Sequence, residues 1–180
     1  ISFIEHKLNS REELTEVNHK NSQFPKEILT EMKKIGIEKL PYSYSALERF
    51  IDSETMDTHY NKHYKGYVKK LNDALSSKID GDIGLEQIIK GISRYNKTIR
   101  DNGGGVFNHS LFWKIMSPEK QKAHGEIYNK IIKDFDNFPE FKKIFSNEAL
   151  KNFGSGWTWL VLTKSGRLKV MSTPNQDNPL

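Results

Sequence analysis

The order of apolar and polar positions predicts a helical first part and a later part that ends in strands. Ser53 can cap a long helix that runs to about Leu75. One face of that helix is apolar, at Tyr60, Tyr64, Val68 and Leu71. Apolar positions at helical spacing return at Leu85, Ile88, Ile89, Ile92 and Ile99. We expect this second helix to run antiparallel to the first and to bury its apolar stripe, forming a helical hairpin.

Three consecutive glycines, residues 103–105, precede a helix that contains His109, Phe112 and Trp113. No strand is predicted before them, and they match neither a GxGxxG nor a Walker pattern, which argues against a nucleotide site. Because glycine permits close backbone approach, we interpret them as a place where a helix packs tightly.

Beyond Ser117-Pro118 the pattern changes. One helix is predicted by Ile127, Ile131, Ile132 and Phe135. A second is suggested by Pro139, Phe141 and Phe145, and Ser146 can cap a third.

A switch to period two after Gly154-Ser155-Gly156 predicts a strand. Its two faces are Trp157, Trp159 and Val161 on one side and Thr158, Leu160 and Leu162 on the other. A tight turn at Ser165-Gly166 leads to a partner strand with Leu168 and Val170. Since a two-stranded ribbon is marginal alone, we expect a third strand after Leu180.

These elements predict an α+β fold with three parts. Residues 1–39 are interpreted as a helical N-terminal extension, with a possible capping box at Ser10 and Glu13 and a second short helix after Pro25. Residues 40–116 form the helical hairpin domain, and residues 117–180 form part of a mixed α/β domain with a small antiparallel sheet.

Composition narrows the function classes. The chain of 180 residues has no cysteine, which excludes disulfides and cysteine-based metal sites or nucleophiles. No apolar run approaches the ~18 residues of a membrane span. The net charge is +5, and the excess lies in residues 40–180 because residues 1–39 balance. That excess suits either a solvated surface or the attraction of an anion.

Histidines are the first candidates for chemistry. His59 and His63 are four residues apart, with Tyr67 four residues further on, so the three share one helix face. Such a pair can bracket a metal ion, and the alternative is a set of core or surface histidines. His6, His19 and His124 lie in polar surroundings and are interpreted as surface residues.

Five sequence blocks follow one another in a specific order. They are Leu40–Glu48, Thr55–Val68, Arg100–Trp113, Phe153–Val161 and Ser172–Leu180. The first opens Leu40-Pro41-Tyr42, and the third ends in Asn108-His109-Ser110-Leu111-Phe112-Trp113. Together these blocks resemble the iron/manganese superoxide dismutases. Residues 1–39 are not covered by this resemblance.

The resemblance implies a role for individual residues. His59 matches the first metal ligand and His109 the second, whereas His63 matches a histidine outside the ligand set, which disfavours the His59/His63 bracket. Tyr67 matches a gateway tyrosine beside the substrate channel. Trp113 and Trp157 match an aromatic wall around the metal. Gln176 matches a glutamine that hydrogen-bonds the metal-bound solvent, and Tyr67 and His63 are candidates to relay protons.

The same resemblance implies the cofactor and the reaction. Iron-type members tend to place an amide four residues before the second histidine ligand, where this chain has Gly105. Manganese-type members place it at the position of Gln176, so we expect manganese, with iron as the alternative. The implied activity is conversion of superoxide to dioxygen and hydrogen peroxide, an antioxidant function, and the basic excess would steer the anionic substrate.

One family block has no counterpart in these residues: an Asp-x-Trp-x-x-x-His-like stretch with the remaining ligands. We expect the protein to continue beyond Leu180 with that segment. The alternative is a catalytically inactive scaffold that works through protein contacts. The resemblance implies a homodimer or homotetramer. No nucleic-acid motif is present, and the sequence leaves the compartment open, with the cytoplasm favoured and export or an organelle possible.

Overall fold

A computed structural model describes residues 34–76 and 83–180. The helices predicted in the N-terminal extension before Lys34, and the connection at Gly81, lie outside the described residues. Within the described ranges, no helix combines the length and the apolarity that a bilayer crossing requires.

The first arm of the hairpin is one helical run of three segments: α1 (Ser53–Asp57), a π-helical segment (Thr58–Tyr64) and α2 (Lys65–Ser76). The predicted cap was wrong by one residue. Asp52 is the N-cap, and its Oδ1 accepts from the backbone N–H of Thr55 at 2.6 Å. A charged carboxylate at this position also complements the positive helix N-terminus.

The second arm differs from the single helix predicted after residue 84. It consists of α3 (Leu85–Lys90), a 3₁₀ turn (Ile92–Arg94) and the long α4 (Lys97–Ile115). Asn96 restarts the helix because its side chain accepts from the backbone N–H of Ile99 at 3.0 Å. Gly103–Gly105 lie inside α4 rather than before a separate helix.

The two arms pack through α2 and α4, as the hairpin prediction required. Their shared core contains fully buried Tyr64, Leu71, Ile99 and Trp113. The segment before Leu40 is bonded to the first arm: Asn72 pairs with both backbone groups of Ile35, at 2.8 and 3.0 Å.

The second region begins with α5 (Gly125–Phe135) and α6 (Phe138–Lys151). Both were predicted, the second from Pro139, Phe141 and Phe145. The third helix predicted from Ser146 does not form, because α6 continues through that position. Asn137 caps α6 by accepting from the N–H of Glu140 at 2.8 Å, and Pro139 occupies its first turn.

A two-stranded antiparallel sheet follows, of β1 (Gly156–Leu162) and β2 (Leu168–Pro174). Its register runs from the pair Gly156↔Pro174 to Leu162↔Leu168. A smaller core of Ile131, Phe141 and Leu168 joins the ribbon to α5 and α6. The architecture is α+β, and the turn after β2 brings residues 175–178 against α4.

Candidate metal centre

His59 and His109 meet between the two arms of the hairpin. His59 comes from the π-helical segment and His109 from α4, and their Nε2 atoms are 3.0 Å apart. They are 50 residues apart in sequence, so only the antiparallel packing of the arms brings them together. The two rings lie perpendicular, with centroids 5.0 Å apart.

The hydrogen bonds of His109 define its protonation. Its Nδ1 lies 2.7 Å from the carbonyl oxygen of Gly105, which can only accept, so Nδ1 carries the proton. In the neutral ring Nε2 therefore presents a lone pair toward His59. A metal-binding imidazole is usually held in this way, by a backbone carbonyl on its other nitrogen.

Burial keeps both imidazoles neutral. It lowers the pKa of His109 to about 4, with further lowering from His59 and His63, and this outweighs the opposing effect of the Gly105 carbonyl. Burial also lowers the pKa of His59, and His63 adds to the shift. Neutral imidazoles are the form that binds metal ions.

Aromatic rings enclose the two histidines. Trp113, which is fully buried, meets His59 edge-on at a centroid distance of 5.0 Å. Trp157 meets His109 edge-on at 5.1 Å. Tyr64 stacks beside His109 at 6.4 Å, and Phe112 bridges His59 and Trp157. This wall limits the access of water and strengthens electrostatic interactions inside it.

A hydrogen-bonded chain lies beside the histidines. The indole N–H of Trp157 donates to Oε1 of Gln176 at 3.2 Å, and Nε2 of Gln176 donates to Oη of Tyr67 at 3.3 Å. Because indole nitrogen only donates, it fixes which side of the glutamine amide faces Trp157. The Tyr67 ring in turn lies 5.3 Å from that of His109.

Gly105 makes room for this arrangement. A Cβ atom at this position would lie 2.6 Å from Cγ of Tyr67, closer than any real contact. A side chain at 105 and the Tyr67 ring in its present position therefore exclude each other, while the amide of Gln176 reaches the hydroxyl end of the same ring.

His63 lies at the rim. It is exposed, and its ring is 6.0 Å from that of His59. Both line an open cavity of about 620 Å³. The cavity is lined by Asp52, Glu54, Thr55, Thr58, His59, His63, Tyr67, His109 and Gln176. Among the described residues this lining includes two carboxylates and no lysine or arginine, so the basic excess does not line the site.

The donor set fits a metal ion in part. Two nitrogens at about 2.1 Å from one ion, roughly at a right angle, would be about 3.0 Å apart. The distance between the two Nε2 atoms is 3.0 Å, which suits a shared ion as well as a hydrogen bond. Within residues 34–76 and 83–180, no group of three or more His, Cys, Asp or Glu side chains could hold a metal.

Every residue predicted for the site lies in or beside it, although their chemical roles stay predictions. Three contributors were missed: Tyr64, Phe112 and Asn108. The sequence indicates that Tyr64 is a core residue, because it belongs to the apolar stripe of the first helix. Asn108 is fully buried and bonds the backbone of Gln176 at 3.1 Å, and a polar residue in the middle of a buried helix was the available signal.

Comparisons with known proteins agree with this geometry. Residues 34–117 match the family model described as iron/manganese superoxide dismutases, alpha-hairpin domain. Residues 123–180 match the C-terminal domain of the same family. A superoxide dismutase [Mn] of Acinetobacter baylyi is 44% identical over 144 residues. That alignment covers 78% of this chain and 63% of the relative, so the chain spans less than two thirds of the relative's length.

Proposed function

Because the chain belongs to the iron/manganese superoxide dismutase family, we propose that this protein converts superoxide to dioxygen and hydrogen peroxide at a mononuclear manganese centre. The single observation that carries the proposal is the 3.0 Å approach of the Nε2 atoms of His59 and His109. The overall reaction consumes two superoxide ions and two protons and releases one dioxygen and one hydrogen peroxide.

His59 and His109 would hold the metal through Nε2. The Gly105 carbonyl fixes the tautomer of His109, whereas His59 must place its proton on Nδ1. In the family that the chain resembles, an aspartate and a histidine of an Asp-x-Trp-x-x-x-His-like stretch supply the remaining donors. When bound, the metal supplies one-electron chemistry by alternating between two oxidation states.

The surrounding side chains control protons and water. Gln176 is oriented by Trp157, so its amide presents a fixed hydrogen-bonding group to the site. Tyr67 accepts from Gln176 through its hydroxyl oxygen, which leaves its own O–H able to donate a proton. The exposed position of His63 suits exchange of protons with solvent.

Manganese is favoured over iron by the space around Gly105. The Tyr67 ring occupies the volume that an amide side chain at position 105 would need, and Gln176 approaches from the turn after β2. The manganese enzyme of Acinetobacter baylyi, at 44% identity, supports the same choice. We further propose a homodimer or homotetramer, supported by exposed apolar side chains at Leu150 and Phe153, 85% and 101% accessible.

The test is metal content and superoxide dismutation in the full-length protein, reconstituted with manganese or with iron. His109→Gln keeps a polar side chain of similar size but removes the imidazole, so metal binding and activity should fall to background. His124→Gln is the matched control, because His124 is exposed and caps α5 without a side-chain hydrogen bond. Undiminished activity in His109→Gln would contradict the proposal.

An inactive scaffold is the second candidate, and one observation favours it. Among the described residues only two donors converge, and two neutral imidazoles hold a divalent ion poorly. A folded full-length protein that takes up neither metal and has no activity after reconstitution would support this alternative.

A further inference from the structure

We propose that Arg100 and Asp177 are positioning residues for Gln176: together with Gly104 and Asn108 they clamp the turn after β2 onto α4. The clamp sets where the glutamine amide lies. Its meaning for catalysis rests on the proposed function, but its effect on the turn does not.

The ion pair between Arg100 and Asp177 is bidentate. Nε of Arg100 donates to Oδ1 of Asp177 at 2.9 Å, and a terminal nitrogen donates to Oδ2 at 2.6 Å. Two parallel hydrogen bonds fix orientation as well as distance, which a single lysine ammonium cannot do. The pair joins residues 77 positions apart, so it ties the ribbon region to the hairpin.

Asn108, two helical turns after Arg100 on α4, binds the same turn. Its Nδ2 donates to the backbone carbonyl of Gln176 at 3.1 Å and lies 3.4 Å from that of Asp177. The side chain is 1% exposed, so these bonds are made away from water, where they are costly to lose. The Asp177 carbonyl also accepts from the hydroxyl of Thr173 at 2.6 Å.

Gly104 lies between these two contacts. A Cβ atom there would lie 2.0 Å from the backbone carbonyl oxygen of Gln176. Residues 100, 104 and 108 are spaced by four along α4 and therefore lie on one face. On successive turns of the helix, this face presents the ion pair of Arg100, the bare backbone of Gly104 and the amide of Asn108 to the segment after β2.

The clamp affects the position of the Gln176 side-chain amide by fixing the backbone of that residue. The side-chain amide reaches Trp157 and Tyr67 with bonds of 3.2 and 3.3 Å, both near the long end of the normal range. A small shift of the residue 176 backbone would therefore lengthen or break them. Within the described part of the chain, the hydrogen bonds of the Arg100 side chain go to Asp177 and not to Trp157 or Tyr67, so Arg100 acts through Asp177 and the turn.

The test compares Arg100→Gln and Asp177→Asn with the unaltered full-length enzyme. Lys97→Gln is the matched control, because it removes an exposed ion pair to Asp101 on the same helix, one turn earlier. Arg100→Lys keeps the charge but loses the bidentate geometry. Two quantities are measured: hydrogen–deuterium exchange of the backbone amides of residues 175–178, which follow Pro174, and the midpoint potential of the bound metal.

We expect amide exchange in the turn to rise about two- to fivefold in Arg100→Gln and Asp177→Asn, since exposed ion pairs contribute little and leave the fold intact. The midpoint potential should shift in the same direction as in Gln176→Ala, but by less. Arg100→Lys should restore part of both effects, and Lys97→Gln should change neither.

Unchanged exchange in the turn would overturn the clamp. Faster exchange with an unchanged potential would overturn the positioning of the amide. If Arg100→Gln does not fold, Asp177→Asn and Arg100→Lys carry the same comparison. A protein that binds no metal would refute the proposed function, while the exchange measurement would still decide whether the clamp exists.

Discussion

Helices α4 and α5 are buried in different ways. α4 has nine buried residues, and six of them are glycine or polar: Asn102, Gly103, Gly104, Gly105, Asn108 and His109. α5 has one fully buried residue, Ile131, flanked by the half-buried Ile127 and Phe135 on the same apolar stripe. Helix α4 packs against α2, α3 and the turn after β2, whereas α5 packs against α6 and β2 through its apolar stripe.

This difference separates residues that mainly stabilise the fold from residues that mainly determine the geometry of the site. α5 is held by apolar contact, so its pattern of hydrophobic positions predicts both its existence and its buried face. At α4 the buried positions are determined by close approach and by polar partners on other elements. We expect substitutions in α5 to change the free energy of unfolding, and substitutions in α4 to change the geometry of the site.

The largest effect on stability should come from α5. Ile131→Ala removes a side chain that is 1% exposed from the small core that it forms with Phe141 and Leu168. Such a deletion typically costs about 2–5 kcal/mol. The measurement that checks this is the free energy of unfolding of the variant in urea. Because this core is separate from that of the hairpin, metal binding by the folded fraction should not change.

The matched control is Lys142→Ala on α6, which truncates an exposed side chain and should change stability by no more than about 0.5 kcal/mol. If Ile131→Ala altered metal affinity as strongly as stability, the two regions would not be energetically distinct and the comparison would fail.

The next effect is expected in α4. Gly105→Ala brings a methyl group to 2.6 Å from the Tyr67 ring, so the ring must shift from the position in which its hydroxyl meets Gln176. Overpacking of this kind costs about 1–3 kcal/mol. The diagnostic measurement is a crystal structure, in which the distance between Tyr67 Oη and Gln176 Nε2 should exceed its present 3.3 Å.

Gly66→Ala on α2 is the matched control for this substitution. Its Cβ would meet no atom within 4 Å, so the variant should gain up to about 1 kcal/mol from helix propensity alone. Equal behaviour of the two alanine variants would show that space around Gly105 is not limiting.

The same contrast explains what the sequence could predict. The apolar spacing of α5 and the run of alternating side chains in β1 predicted both elements, because each pattern repeats with the period of its own secondary structure. The predicted helix from Leu85 to Ile99 was wrong, since Asn96 caps a new helix and local hydrogen bonding outweighed the periodicity. For the same reason Asp52, and not Ser53, is the N-cap of α1.

The periodic spacing of residues along single helices could not predict which side chains meet at the site. The spacing of His59 and His63 indicated a bracket within one helix, whereas the pair that meets comes from two helices 50 residues apart. Only the family resemblance paired His59 with His109. The contact of Gln176 with Tyr67 depends on a turn and a helix that are 109 residues apart, and no local pattern encodes such a distance.

The smallest effect concerns a polar link between α5 and the ribbon. Oδ2 of Asp134 accepts from the backbone N–H of Leu168 at 2.7 Å and pairs with Lys130 at 3.0 Å. These contacts, the backbone bond first, hold the pKa of Asp134 below its ordinary value of 3.8. The carboxylate therefore contributes stability that is fully present above pH 3.8 and is lost as the pH falls through the lower folded-state pKa.

Asp134→Asn cannot titrate, so its free energy of unfolding should vary less with pH below 3.8 than that of the unaltered protein. Above that pH the variant should be modestly less stable, because a neutral amide is a weaker acceptor for the Leu168 N–H. The measurement is urea unfolding between about pH 2 and 7, a range that spans the ordinary Asp pKa. Asp73→Asn, which removes an exposed carboxylate paired with Lys69 on α2, is the control. An identical pH dependence in the Asp134 variant and the unaltered protein would mean that α5 is held to the ribbon by apolar contact alone.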